Sequence, residues 1–247
     1  MSFPMLTQNP AYHTFAEQGA LFGIPYFWNV VSNAPFLGVA MAGAGMLRRE
    51  SGLDRWERRS YAALLAGCAL VTFGSAYFHL APSDGRLFWD RLPMTVIFMS
   101  LLAAVLGDRV HPWADRYGLA PLLVLGVVSV VYWRATGDLS LYALVQGGSI
   151  GLIAAMTVLQ PSRYTGANRT VWAMMGLYGL AKVLEYFDGA IGLWIPMGGH
   201  PLKHLAAAAA LAVYVRWVRR RRGVSEESYS MVMVMRRLRG SDSGLNL

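Results

Sequence analysis

The chain has 247 residues, of which 55% are hydrophobic and only 15% are charged, and its formal net charge is +8. Soluble domains carry about 25% charged residues, so this composition excludes an ordinary soluble domain. The apolar residues fall into runs of about 20, the length that a helix needs to cross ~30 Å of hydrocarbon. We therefore predict an all-α polytopic membrane protein, with no soluble domain of comparable size beside it.

A bundle of seven membrane-spanning helices is predicted, joined by short loops that contain turn-forming residues. The spans lie near residues 24–47, 60–80, 89–106, 117–133, 139–159, 170–191 and 199–218. The fourth is the shortest, and Pro121 is expected in its first turn. Residues 1–222 then form one seven-helix domain, and residues 223–247 form a basic, disordered tail.

The positive charges predict an orientation for these spans. Most lysines and arginines lie in the tail and in the loops after the first, third and fifth spans. Because such residues stay on the cytoplasmic side, the N-terminus is predicted outside and the tail inside, with Arg236, Arg237 and Arg239 touching anionic lipid. This asymmetry accounts for the net charge without a nucleic-acid partner, since base-stacking motifs are absent. The compact, loop-poor chain is typical of a bacterial inner-membrane protein.

Three histidines are predicted to lie at one membrane depth, near the outer surface. His79 lies at the outer end of the second span, and His200 and His204 begin the seventh, where a spacing of four places them on one helix face. Histidine is costly in hydrocarbon and usually marks a site there. Three imidazoles with an open fourth position form a ligand set of catalytic zinc. The alternative is that His200 and His204 pack between helices, each bonded to a neighbour.

Two further polar residues share that depth and are the predicted catalytic residues. Asp90 opens the third span, where it can accept a proton from an attacking water or orient an imidazole; alternatively it is a helix N-cap. Ser75 lies one turn before His79 and can hold the water or donate to an oxyanion. Alternatively, its hydroxyl bonds to the carbonyl four residues earlier.

Charged residues in the sixth span form a second group. Lys182, Glu185 and Asp188 follow one another at i, i+3 and i+6, which predicts a single stripe and a Lys182–Glu185 pair. We interpret the stripe as a structural network beneath the site, or alternatively as direct support for it. Arg91 and Lys203, in contrast, are expected to extend outward, Arg91 towards lipid headgroups.

With these motifs the chain resembles the alkaline ceramidase family, within a wider group of seven-span membrane hydrolases that includes the progestin and adiponectin receptors. The resembling stretches are FWNVVSN at 27–33, GSAYFH at 74–79, WDRLPM at 89–94 and GHPLKH at 199–204. The resemblance implies zinc held by the three histidines, with Asp90 and Ser75 contacting the metal-bound water. It also implies an amide substrate of sphingolipid type that enters from the bilayer.

The resemblance gives less support for calcium. Eukaryotic members carry an N-terminal calcium site built from several acidic residues. Glu17 matches one of these positions, but Tyr26 stands where an acid is expected just before the Trp-Asn pair. Calcium dependence is therefore not predicted.

The leading hypothesis is a zinc-dependent hydrolase that converts ceramide and water to a sphingoid base and a fatty acid. A second hypothesis is a seven-span receptor or lipid sensor, in which Asp90 is the fourth ligand of a structural zinc and no turnover occurs. A third is a haem-bearing electron carrier, because membrane histidines also bind haem. The sequence leaves the lipid, the choice of amide or ester, and the oligomeric state open.

Overall fold

A computed structural model describes residues 5–48 and 53–221 of the chain. The fold is all-helical apart from a short antiparallel hairpin of β1 (Ala20–Leu21) and β2 (Ile24–Pro25) and one isolated bridge. The helices are α1 (Phe27–Val31), α2 (Ala34–Arg48), α3 (Arg55–Leu80), α4 (Asp84–Arg109), α5 (Pro112–Thr136), α6 (Ser140–Leu159), α7 (Ala167–Tyr186), α8 (Asp188–Gly192) and α9 (His200–Arg220). The predicted tail, including its arginines at 236, 237 and 239, lies outside the described residues.

Five segments of the described chain are long and apolar enough to cross a membrane. They are α1 together with α2, followed by α3, α4, α5 and α6. The predicted all-helical fold is confirmed, and the described residues contain five candidate spans. α7 and α9 are 20 and 21 residues long, but they carry the charged and histidine residues singled out above, which lower their apolar character.

α3 and α4 pack closely along most of their length because glycines face the contact. A Cβ atom at Gly67 would lie 2.8 Å from Cγ1 of Ile97, and one at Gly74 would collide with the carbonyl group of Trp89, whose carbon is 2.9 Å away. Glycine at such positions lets two helix backbones approach within a membrane. Gly74 lies next to Ser75, and Trp89 lies next to Asp90, so this close approach brings those two side chains together.

We expect Gly74→Ala to destabilise the protein by about 1–3 kcal/mol, because the added methyl group meets rigid backbone and must push α3 from α4. The measurement is the thermal unfolding midpoint in detergent. Gly176→Ala is the matched control, since a Cβ there has open space in α7 and alanine favours the helix. Equal midpoints for the two variants would contradict the close contact.

The turn between α3 and α4 corrects the predicted start of the third span. Ser83 is the N-cap of α4 and accepts a hydrogen bond from the backbone N–H of Arg86 at 3.4 Å. Asp90 therefore lies in the second turn of the helix, so its interpretation as an N-cap is wrong. Its carboxylate needs another explanation.

The predicted sixth span is also interrupted. α7 ends at Tyr186, and after Phe187 the chain continues as the short α8. Asp188 is the first residue of α8 and does not continue the stripe of Lys182 and Glu185. The predicted single stripe is wrong because the helix ends between Glu185 and Asp188.

The N-terminal segment lies against the end of the bundle where α3 ends and α9 begins. The backbone N–H of Leu139 donates to the carbonyl of Leu6 at 2.7 Å, and that of Ala16 donates to a carboxylate oxygen of Asp188 at 2.8 Å. These bonds hold residues 6–16 across the surface beneath which the three histidines lie.

Candidate metal centre

The structure brings the three histidines into one cluster. Each offers a ring nitrogen, and these atoms of His79, His200 and His204 lie within 4.8 Å of one another. The ring centroids are 4.9, 5.2 and 5.0 Å apart, with the rings tilted edge to face. All three side chains are buried. A single ion can therefore be reached from the end of α3 and the first turns of α9.

Neighbouring groups orient two of these histidines. The hydroxyl of Ser32 lies 2.8 Å from Nδ1 of His204. The backbone N–H of His200 donates to Asp188 at 2.8 Å, which anchors the start of α9. Fixing the second ring nitrogen or the backbone of a ligand is how proteins hold an imidazole towards a metal.

Unpartnered nitrogens indicate what the cluster is suited to bind. Among the described residues, both ring nitrogens of His79 and Nε2 of His200 are buried with no hydrogen-bond partner. Buried polar atoms normally have a partner, so these are free to coordinate an ion. The cluster of mutually close ligand atoms contains three imidazoles and no carboxylate. Three nitrogen ligands with an open position fit a catalytic zinc.

Ser75 and Asp90 lie beside the cluster and interact with each other. Their side chains are 2% and 8% exposed, and both line the cavity that His204 also lines. Thr72, in contrast, bonds back to the carbonyl of Cys68 at 3.1 Å, which is the arrangement considered above for Ser75. The side chain of Ser75 interacts with the carboxylate of Asp90.

Phe15, which no sequence pattern indicated, covers the histidines. Its ring centroid lies 4.8 Å from that of His79 and 4.5 Å from that of His200, in edge-to-face contacts. It is 3% exposed. An aromatic residue in a short tail has no periodicity to mark it, and only the tertiary structure shows that it shields the cluster from water.

Glu185 is the centre of an ion-pair network at the edge of the same cavity. It lies 2.8 Å from Nζ of Lys182 and 2.5 Å from Nζ of Lys203. The expected Lys182–Glu185 pair is therefore present. Lys203 does not extend outward as predicted, because Glu185 on α7 draws it between α7 and α9. The phenol of Tyr12 donates to the same carboxylate at 3.4 Å, and burial, followed by the charge of Glu185, raises the pKa of Tyr12 well above its ordinary range.

Arg91 is likewise buried, which contradicts the prediction that it reaches lipid headgroups. It is 6% exposed, and Nη2 donates to the side-chain oxygen of Gln8 at 2.5 Å. Its guanidinium carbon lies 4.2 Å from the ring centroid of Trp133 and 5.0 Å from that of Tyr142. Aromatic faces from α5 and α6 hold the cation inside the protein.

Glu17 has structural partners at the start of α1. Its two carboxylate oxygens accept the backbone N–H groups of Trp28 and Asn29, both at 2.8 Å. These N–H groups belong to the first turn of α1, where a carboxylate satisfies otherwise unpaired donors. The side chain therefore fixes the N-terminal segment to α1, at the start of the first candidate span.

A cavity of about 260 Å³ extends from this polar region into the bundle. Its inner wall is apolar and is formed by Phe36, Val71, Met94, Ile97, Leu101, Ile153, Met174 and Leu211. Its other end is lined by His204, Ser75 and Asp90 together with Arg91, Lys182, Glu185 and Lys203. An apolar wall with a few converging polar groups is typical of a small-molecule site.

Comparison with known proteins agrees with the resemblance. A family model described as Ceramidase matches residues 23–196. The match includes Ser75, His79 and Asp90 but ends before His200 and His204, which the fold brings to the same place. No curated protein matches the chain. Because the matched residues are well over half of the chain, the protein belongs to the Ceramidase family.

Proposed function

We propose that the protein is a zinc-dependent hydrolase of lipid amides within the membrane, with a ceramide-type lipid as substrate. The observation that carries this proposal is the cluster of His79, His200 and His204, placed beside Ser75 and Asp90 at the polar end of an apolar cavity. The family match supports a ceramidase-like hydrolase, and the donor set supports zinc.

Zinc, when held by the three imidazoles, supplies Lewis acidity to water and to the substrate carbonyl. Asp90 accepts the proton of the attacking water at a carboxylate oxygen and delivers it to the nitrogen of the leaving amine. A carbon–oxygen bond forms, the carbon–nitrogen bond breaks, and the products are a fatty acid and an amine. The hydroxyl of Ser75 holds the carboxylate in place or donates to the carbonyl oxygen as negative charge develops. Phe15, which covers the rings of His79 and His200, excludes bulk water from the metal site.

The acyl chain has a defined path in this proposal. Asp90, Met94, Ile97 and Leu101 follow one another on the face of α4 that lines the cavity. Eleven residues of α-helix span ~16 Å, so the apolar wall extends for roughly half the hydrocarbon thickness below the carboxylate. When the amide group of a substrate lies beside Asp90, its acyl chain is therefore enclosed by the apolar wall of the cavity.

We propose that α7 and α9 also cross the membrane, which gives seven spans in one domain of residues 1–222, with the N-terminus outside and the C-terminus in the cytoplasm. About 20 helical residues measure ~30 Å, as the hydrocarbon core requires. The positive-inside pattern supports the orientation. The short loops support a bacterial inner membrane as the location.

The alternative of a receptor with structural zinc is less well supported. It needs Asp90 as a fourth ligand, whereas the cluster of close ligand atoms among the described residues holds only the imidazoles. A haem carrier is also less well supported, because the ring centroids of the three histidines lie within 5.2 Å of one another and leave no space for a porphyrin between two of them.

We expect the purified protein to release fatty acid and amine in equal amounts from an N-acyl sphingoid base, to lose this activity on chelation, and to recover it with Zn²⁺. The measurement is product release by mass spectrometry alongside metal content. An ester with the same acyl chain tests the preference for amides. Stoichiometric zinc without turnover of any lipid amide would favour the receptor.

A further inference from the structure

The polar end of the cavity contains more positive than negative charge. Its cationic side chains are Arg91, Lys182 and Lys203, and its acidic ones are Asp90 and Glu185. The proposed zinc would increase this excess. In a site surrounded by hydrocarbon, uncompensated charge is costly and is usually retained for a ligand.

Arg91 carries the clearest part of this excess. Among the described residues, no carboxylate forms an ion pair with its guanidinium. Gln8 and the aromatic rings of Trp133 and Tyr142 stabilise the cation without neutralising it, and Nη1 is buried with no hydrogen-bond partner. A guanidinium matches the planar, paired oxygens of a carboxylate or phosphate better than any other side chain.

The two lysines share the single carboxylate of Glu185. Asp90 is the second acid that lines the cavity, so one positive charge of the five groups is not balanced. Lys203 is 16% exposed and precedes His204 in α9. Arg91 follows Asp90 in α4. In the sequence, Lys203 is therefore adjacent to the proposed metal ligand His204, and Arg91 is adjacent to the proposed proton acceptor Asp90.

We propose that the preferred substrate is a lipid amide whose amine part carries an anionic oxygen group, a carboxylate or a phosphate, bound by Arg91 and Lys203. The apolar wall begins below Asp90, so the acyl chain occupies the inner end and the amine part faces the cations. This inference rests on the proposed amide hydrolysis, and it narrows the ceramide-type substrate to lipid amides whose amine part is anionic.

A matched pair of substrates tests it. N-oleoylglycine and N-oleoylethanolamine share the acyl chain and amide, and differ chiefly in a carboxylate against a hydroxyl. We expect kcat/KM for the glycine amide to exceed that for the ethanolamine amide by about tenfold or more, as a charge-assisted contact requires. N-oleoyl-O-phosphoethanolamine shows whether phosphate is preferred to carboxylate.

Substitutions of Arg91 test whether this residue causes the preference for the anionic amide, measured as the ratio of the two kcat/KM values. In Arg91→Gln the ratio should fall towards one, and Arg91→Lys should restore part of it. Arg116→Gln is the matched control, because Arg116 is exposed on α5 outside the cavity, and it should keep the wild-type ratio. A wild-type ratio near one, or a ratio unaffected by loss of the Arg91 charge, would overturn the inference.

Measurements of lipid binding test this inference independently of catalysis and of the metal. In His79→Ala, which removes a metal ligand, calorimetry should still show tighter binding of N-oleoylglycine than of N-oleoylethanolamine. Turnover of both amides without preference in rate or binding overturns the headgroup inference alone. Selective binding of the anionic lipid without turnover of any amide supports the headgroup inference and overturns amide hydrolysis.

Discussion

His200→Ala should abolish both zinc binding and lipid hydrolysis. Removal of this imidazole leaves two nitrogen ligands where catalytic zinc uses three. The backbone N–H of residue 200 remains, so its bond to Asp188 and the start of α9 are retained. Loss of function would then follow from the ring alone. Metal content by mass spectrometry and fatty-acid release from an N-acyl sphingoid base measure the two effects on the same preparation.

His111→Asn is the control for removal of a histidine. His111 is exposed and caps α5 by accepting the N–H of Trp113 at 3.3 Å, a role that asparagine also performs. This variant should keep its zinc and its activity. A folded His200→Ala protein that hydrolyses lipid without zinc would refute the metal mechanism.

The histidine cluster could be predicted from the sequence because two independent patterns agree. The spacing of His200 and His204 places them on one helix face, and the orientation predicted from the positive charges places His79 at the same depth. Polar residues in apolar helices are few, so each is conspicuous. The structure gives the distances between them, which no pattern contains.

Residues outside the helical pattern could not be predicted in the same way. Phe15 lies in a tail without periodicity, and Ser32 lies at the junction of α1 and α2. The outward direction expected for Arg91 and Lys203 followed from the general behaviour of long cations at a membrane surface. Specific partners on other helices overrode that tendency: aromatic rings for Arg91 and Glu185 for Lys203.

Helix ends were predicted less well than helix positions, for a related reason. α4 begins at Asp84 because Ser83 caps it, well before the apolar run starts. α7 ends at Tyr186, although the residues that follow remain largely apolar. Hydropathy reports which residues tolerate lipid, whereas the ends depend on caps and on contacts such as that between Asp188 and the N-terminal segment.

Asp90→Asn should lower kcat by about 10²–10⁴-fold, the usual contribution of a general acid–base residue, while the protein keeps its zinc. Asparagine has nearly the shape of aspartate but cannot accept the proton of water and return it to the leaving nitrogen. Zinc should remain because the close ligand atoms are those of the imidazoles. Single-turnover rates and metal content should be measured together.

Asp54→Asn is the matched control, because Asp54 is an exposed N-cap of α3 and asparagine caps equally well. Its turnover and zinc content should equal those of the wild type. If Asp90→Asn loses zinc along with activity, Asp90 is a ligand and the closed site of a receptor becomes the better interpretation. If it keeps full activity, the proton passes through another group, and Ser75 and Asp90 have only a structural role beside the metal.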